Sequence, residues 1–310
     1  MQHAPVGRFA PSPSGRMHLG NAFSCLLSWL SVRSQNGRII LRQEDLDPAR
    51  CRRSFADQVE EDLLWLGLDW DEGGSRGGDL YYQSHRRDIY ESYLNKLEED
   101  GLLYPCFCSR GELHAASAPH ASDGTLLYAG TCRDLTPQQR LERSALRRPA
   151  LRIRVPDETI TVQDAIQGTL TQNLQADCGD FIVRRADGAW AYQLAVVVDD
   201  ALMGVTEVVR GRDLLLSSAQ QIYLYELLGF PVPRFCHLPL LVNEAGQRLS
   251  KRDKSLDMGC LRERYTPEQL LGILAHAAGQ ISRPDPISLQ ELLPIFSWDH
   301  VPTDDVLVRL

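Results

Sequence analysis

The sequence predicts an α/β protein organised around a parallel sheet wrapped by helices. Three observations carry this expectation. Strand-like apolar runs alternate with helix-period segments through residues 6–101. A Pro/Ser/Gly turn joins the first strand to the first helix, with no hairpin partner between them. The alternation then breaks at residues 102–180 and resumes afterwards, as an insertion into such a core would read.

The elements follow in chain order. Residues 6–10 form a strand-like run. Residues 19–35 place Ala22, Phe23, Leu26, Leu27 and Leu30 at helical spacing, and Asn36-Gly37 supplies a left-handed stop. Residues 38–42 read as a buried strand. Ser54 is the expected cap of a helix that runs to Leu66 and stops at Gly67. Ser84 is the expected cap of another, ending at Gly101. Within the insertion, residues 151–155 and 168–172 are strand candidates. Residues 181–185 and 190–198 flank Asp187-Gly188, a hairpin signal. A helix is expected over 213–228 with Gly229 as its stop, and a helical, proline-punctuated stretch from about 256. The chain therefore divides into 1–101 and 181–245 as two halves of one core, 102–180 as an insertion, and 246–310 as a C-terminal segment.

Composition narrows the function. At 310 residues with 43% hydrophobic side chains the chain can bury a sizeable core. No run approaches the roughly 20 apolar residues of a membrane span, and the N-terminus lacks a basic-then-apolar leader. A cytoplasmic protein without a membrane partner is expected. A net charge of −8 argues against a non-specific nucleic-acid binder. Local basic clusters exist at Arg140, Arg143, Arg147 and Arg148 and at Arg184 and Arg185. Eight scattered cysteines do not make a disulfide framework.

Two segments are suited to phosphate. In Pro11-Ser-Pro-Ser-Gly15-Arg-Met-His18-Leu-Gly20, the prolines and Gly15 hold a turn and Gly20 allows close approach to a ligand. The helix that follows offers N–H groups and a positive dipole end. His18 adds a donor. Far downstream, Arg248-Leu-Ser250-Lys251-Arg252 adds a mobile point charge at Lys251.

These residues carry a family resemblance. Arg8-Phe-Ala10-Pro-Ser12-Pro-Ser-Gly with His18-Leu-Gly20 resembles the "HIGH" region of class I glutamyl-tRNA synthetases, and Arg248-Leu-Ser-Lys-Arg resembles their "KMSKS" loop. Tyr192-Gln-Leu-Ala-Val-Val-Val-Asp-Asp200 and Val208-Val-Arg210-Gly-Arg-Asp213 extend it, so that it spans residues 7–255 in one colinear order. The resemblance implies a Rossmann-like catalytic core, ATP with Mg²⁺ as substrate, and adenylation of L-glutamate. It places His18 and Lys251 in catalysis, and Pro11, His18, Gly20, Asn21, Ser250 and Lys251 around the nucleotide. The family's glutamate contacts fall on Arg8, Ala10, Ser12, Glu44, Tyr192 and Arg210. The charges suit the ligand: two arginine forks face two carboxylates, and Glu44 faces the ammonium. The chain departs from the family names at Met17, Leu19, Asn21, Arg248 and Leu249. Asn21 is the main change, because it replaces a histidine with a shorter donor that cannot become cationic.

Cys106-Phe-Cys108 directs two sulfurs toward one point, and Cys132 can bring a third. From the residues alone, His114 or His120 is a candidate fourth ligand for zinc. A subgroup of the family with a Cys-x-Cys…Tyr-x-x-x-Cys arrangement points instead to Tyr128. The resemblance thus implies one structural zinc on Cys106, Cys108, Tyr128 and Cys132, with the acceptor-type insertion around it.

With about 55 residues after Arg252, no anticodon-reading domain is expected. Together with the Cys/Tyr cluster, this resembles the subgroup that activates glutamate without tRNA and esterifies it to queuosine at the wobble position of tRNA(Asp). The implied partner is the queuosine-bearing anticodon stem-loop of tRNA(Asp), met by a monomer. A truncated enzyme charging a tRNA 3′ end and a non-catalytic RNA-binding paralogue are the competing readings.

Overall fold

The computed structural model describes residues 4–109, 111–112, 127–249 and 256–310. The chain opens β1 (Val6–Phe9), α1 (Leu19–Ser34), β2 (Arg38–Leu41), α2 (Arg53–Trp65), β3 (Glu72–Gly73) and α3 (Arg87–Glu99). β1 pairs parallel with β2, and β2 with β3. Helix α1 buries the apolar stripe Leu19, Ala22, Phe23, Leu26, Leu27 and Leu30. Asn36 then turns the chain with φ 54°. At Gly37 a Cβ would meet the Pro5 carbonyl oxygen at 2.2 Å, so only glycine lets α1 return beside β1.

The insertion follows with β4 (Leu103–Cys106), α4 (Pro137–Ser144), β5 (Ala150–Ile153), β6 (Thr159–Asp164), β7 (Gly168–Asn173) and β8 (Ile182–Arg184). β4, β5 and β8 form a small antiparallel sheet. The β6–β7 hairpin instead joins the core sheet. Then come α5 (Tyr192–Leu202), β9 (Glu207–Gly211), α6 (Ser218–Leu228), β10 (Arg234–Leu238), β11 (Leu241–Val242), α7 (Met258–Arg264), α8 (Pro267–Ala277), α9 (Leu289–Leu292) and β12 (Val306–Leu307).

β9, β10 and β6 are parallel neighbours, with β7 antiparallel at the edge. The Thr206 amide donates to the Val6 carbonyl at 2.9 Å and the Val6 amide to Thr206 Oγ1 at 2.9 Å. Arg8 Nη1 also donates to the Val209 carbonyl at 3.0 Å. These contacts set β1 beside β9 and give the spatial order β3-β2-β1-β9-β10-β6-β7. Helices cover both faces, with separate apolar cores on either side. The chain runs outward from β1 in one direction and from β9 in the other. The crevice at their carboxyl ends is where open α/β sheets bind ligands. Among the described residues no helix is long and apolar enough to cross a membrane.

Three local expectations are corrected. Ser54 does not cap α2: the cap position is Arg52, whose amide is tied to the Pro13 carbonyl at 3.0 Å. Ser84 does not cap α3, because its amide and hydroxyl both bind Asp45, at 2.8 and 2.6 Å, and the helix starts later, after Arg86. Residues 190–198 are not a strand. Trp190 bridges back to Arg184, and the chain then enters α5, in which Leu194 to Asp200 are all buried. A helix buried all round shows no helical period in its sequence.

Asp199 of α5 is a buried polar tie in this layer. It is fully buried and accepts from Arg86 Nε at 2.6 Å, Gln83 Nε2 at 2.8 Å and the Tyr90 hydroxyl at 2.8 Å. Asp199→Ala leaves Arg86 buried without its counter-charge and is expected to cost about 3–5 kcal/mol. Urea unfolding of the variant measures this, and a loss within experimental error would show that the network does not hold the layer.

Candidate active site

A cavity of about 420 Å³ opens at the carboxyl ends of β1 and β9. Arg8, Ala10, Ser12, Glu44, Tyr192 and Arg210, distant in sequence, all line it. So do Pro11, His18, Gly20 and Asn21. Ser250 and Lys251 lie outside the described residues. The neighbouring Arg248 and Leu249 line the same cavity, so the second phosphate-type segment borders the first.

The turn after β1 is fixed by a side-chain cap on α1. His18 is the cap residue, and its Nδ1 accepts from the Gly20 amide at 3.1 Å. Asn21 Oδ1 accepts in return from the His18 amide at 3.3 Å. Because Nδ1 is an acceptor, the neutral ring carries its proton on Nε2. Asn21 therefore has an architectural task that the sequence comparison with a histidine did not suggest. The chain just after the second segment returns here: Asp257 forms an antiparallel bridge with His18, and the Met258 amide donates to the Met17 carbonyl at 2.8 Å.

The floor is a buried charge network. Arg42, missed by sequence reasoning, is fully buried and spans three acids. Its Nη2 meets Glu44 Oε1 at 3.0 Å, its Nη1 meets Asp200 Oδ1 at 2.7 Å, and its Nε lies 3.8 Å from Asp199. Arg8 Nε lies 3.6 Å from Asp200. The signal was present: Arg42 and Glu44 are two residues apart at a strand end, on one face. Burial raises the Glu44 carboxyl above its usual range, against the pull of Arg42. Burial likewise lowers Arg210 and raises Tyr192. Arg210 is held by His237 Nε2 at 2.9 Å, Gln221 Oε1 at 2.8 Å and Ser218 Oγ at 3.0 Å. Of the lining charges, Arg16 is paired with Asp62 and Arg248 with Asp213. Arg8, Arg210 and Glu44, with Tyr192 and the helix start, make a set suited to a small diacid beside a phosphate.

A second cluster lies in the insertion. Cys106, Cys108 and Cys132 bring their sulfurs within 4.8 Å of one another. Tyr128 Oη is 3.5 Å from Cys106 Sγ and 4.0 Å from Cys108 Sγ, and accepts from the Cys132 amide at 2.7 Å. Burial, then the Cys106 sulfur, push the Cys108 thiol up to about 12. Three thiolates can share this space only with a cation among them, so the cluster could hold a metal. His114 and His120 lie outside the described residues. The nearby arginines are engaged within the chain: Arg140 with the Leu135 carbonyl, Arg143 with Cys132, Arg147 with Phe107 and Glu112, Arg184 with Glu91, and Arg185 with Asp187. Arg148 is exposed.

The cap has a measurable signature. Asn21→Ala removes the acceptor for the His18 amide and is expected to lower stability by about 1 kcal/mol. Asn21→Asp keeps an acceptor and should not. Equal loss in both variants, read from denaturant midpoints, would show that the reciprocal cap does not fix this turn.

The family model for the catalytic domain of class I tRNA synthetases (E and Q) matches residues 6–283. A Symbiobacterium thermophilum protein named glutamyl-Q tRNA(Asp) synthetase is 50% identical over 309 residues, covering 97% of this chain and 95% of its own. A glutamate–tRNA ligase of Aquifex aeolicus is 43% identical over 301 residues, covering 95% of this chain and 62% of its own. The crystal structure of a glutamate tRNA ligase from Elizabethkingia meningosepticum, in complex with its amino acid, superposes with a TM-score of 0.84 at 28% identity, covering 99% of this chain and 67% of its own. The turn, the capped helix, the cavity and these matches lead to one conclusion: the chain belongs to the class I tRNA synthetases (E and Q) and carries their catalytic domain.

Proposed function

We propose that this chain activates L-glutamate with ATP in the absence of tRNA, and then transfers glutamate to the queuosine base at the wobble position of tRNA(Asp). One observation carries the reading. The cavity at the sheet's crossover joins a diacid-type charge set to a phosphate-type helix start. The near-full-length match to a protein named for this substrate supports the choice of RNA. The reading includes a monomer working in the cytoplasm.

In the first step a glutamate α-carboxylate oxygen attacks the ATP α-phosphorus. The bond to the bridging oxygen breaks, and pyrophosphate leaves. Arg8 and Arg210 receive the two carboxylates, and Glu44 and Tyr192 orient the ammonium end. Ala10, Ser12 and Pro11 shape the wall between amino acid and nucleotide. His18 Nε2–H and the amides at the start of α1 face charge developing on the phosphoryl oxygens, where Gly20 permits close approach. Asn21 keeps His18 in that orientation. Ser250 and Lys251 complete the triphosphate site, and Mg²⁺ enters with ATP. No covalent protein intermediate is required. In the second step a queuosine hydroxyl attacks the glutamyl carbonyl and AMP departs.

The cysteine cluster fits zinc. Tetrahedral ligands at about 2.3 Å lie about 3.8 Å apart, and Cys108 and Cys132 sulfurs are 3.6 Å apart. Cys106, Cys108, Cys132 and Tyr128 would hold the ion, and its contribution would be to staple the insertion. Purified protein is expected to carry about one zinc per chain, with Tyr128→Phe weakening retention. Loss of metal on His114→Ala or His120→Ala, with Tyr128→Phe unaffected, would reassign the fourth ligand.

ATP–pyrophosphate exchange tests the first step. It should proceed with glutamate alone, and Lys251→Ala should slow it roughly 10²–10³-fold. Labelled glutamate should then mark tRNA(Asp) from queuosine-making cells and not the same tRNA from cells unable to make queuosine. Equal labelling of both, or label on the 3′ ribose of tRNA(Glu), would make the chain a charging enzyme, the reading favoured by its likeness to the Aquifex protein. An inert protein that still binds RNA would favour a non-catalytic paralogue.

A further inference from the structure

Three adjacent strands end in a row of buried side chains that reaches the cavity. β6 ends at Asp164, β10 carries His237, and β9 carries Arg210. His237 is in register with Arg210, and Asp164 with Phe235, two residues before His237. Asp164 Oδ2 is 2.6 Å from His237 Nδ1, and His237 Nε2 accepts from Arg210 Nε at 2.9 Å. His237 is fully buried, and Arg210 and Asp164 are nearly so.

We propose that Asp164 and His237 are positioning residues for amino-acid binding: they set the plane of the Arg210 guanidinium and thereby the affinity for the substrate's carboxylate. This rests on the reading above, in which Arg210 receives that carboxylate.

Besides His237, Asp164 accepts from the amides of Gln167 at 2.9 Å, Ile166 at 3.0 Å and His237 at 3.2 Å. Burial would raise its carboxyl, but the His237 ring and these amides hold it below the usual range. Asp164 therefore stays an acceptor, and His237 must place its proton on Nδ1. Burial holds His237 below its ordinary value, so the ring is neutral at pH 7. Nε2 is then a lone pair that takes the Arg210 Nε–H at 2.9 Å, with Ser218 Oγ 3.3 Å from the same nitrogen. Gln221 and Ser218 hold the terminal nitrogens. A guanidinium fixed at all three nitrogens cannot swing, so its fork is aimed before substrate arrives. Asp164 lies on the insertion hairpin, outside the lining of the cavity. The relay thus makes this hairpin part of the amino-acid site.

Asp164→Asn offers an amide that donates to Nδ1 and drives the ring proton to Nε2, against the Arg210 Nε–H. Steady-state ATP–pyrophosphate exchange should show the glutamate KM raised about 10–100-fold, the loss of one hydrogen bond to a charged group. The ATP KM should not change. His237→Leu should behave likewise, and His237→Gln, whose carbonyl can reach the Nε2 position, should recover part of the affinity. A structural role alone would lower stability without separating the two KM values. Nitrogen-15 NMR of the wild-type protein labelled at histidine, with the ring signals assigned, should show the His237 ring protonated at Nδ1 only. A His237 ring protonated at Nε2 would overturn the proposal, and this decides the matter if the variants do not fold. Arg210→Ala serves as the control. If it raises the glutamate KM while Asp164→Asn does not, the relay is refuted. If Arg210→Ala leaves that KM unchanged, the assignment of the carboxylate to Arg210 fails, and the relay as a device for substrate binding fails with it.

Discussion

The site depends on a set of charges removed from water. Arg8, Arg42 and Arg86 face Glu44, Asp199 and Asp200, all buried. Each charge here has a large desolvation cost, and the set is tolerable only while every member has a partner. The pairing therefore fixes geometry. Arg42 pins Glu44 and Asp200, and Asp200 lies against Arg8. Two cavity-lining groups thus take their positions from a residue behind the cavity wall. Four parts of the chain, β1, β2, α5 and the start of α3, meet in this network. The parallel sheet is the scaffold, and the buried ions set where its strand ends stop.

A second constraint closes the other side of the cavity. The start of α1 is capped by His18 and Asn21, and the segment around Asp257 docks on it from far along the chain. Asp62, fully buried on α2, accepts from Arg16 at 3.0 Å and from Arg262 at 2.9 Å. One carboxylate thereby joins the first phosphate-type turn to α7, which follows the second. β12 extends the same closure: it pairs with β11, and Asp305 accepts from the Leu240 amide at 2.9 Å. The hairpin that carries Arg248 and Leu249 is thus anchored at its base by the end of the chain.

The insertion serves both ends of its length differently. Its antiparallel sheet carries the cysteine cluster, whose three sulfurs lie within 4.8 Å of one another. Its β6–β7 hairpin leaves that unit and extends the core sheet, delivering Asp164 behind His237. An insertion read from sequence as one block is thus split by strand pairing between a satellite and the catalytic layer.

Local features were legible along the chain. The Pro/Ser/Gly turn, the stripe of α1, the Asn36-Gly37 stop and the spacing of Cys106 and Cys108 lie within a few residues, where turn chemistry and period decide the outcome. The charges that suit a diacid were named through the family resemblance: only Arg210 ends an apolar run, while Arg8 lies within β1 and Glu44 follows two polar residues after β2. Which distant groups meet is set by folding alone. Arg42 with Asp200, Asp164 with His237, and Asp62 with Arg262 leave no periodic trace in the chain. Helix α5 was misread as a strand for a related reason: buried on every side, it has no polar face to reveal its period. Side chains surrounded by protein answer to neighbours that folding supplies, and sequence order does not name those neighbours.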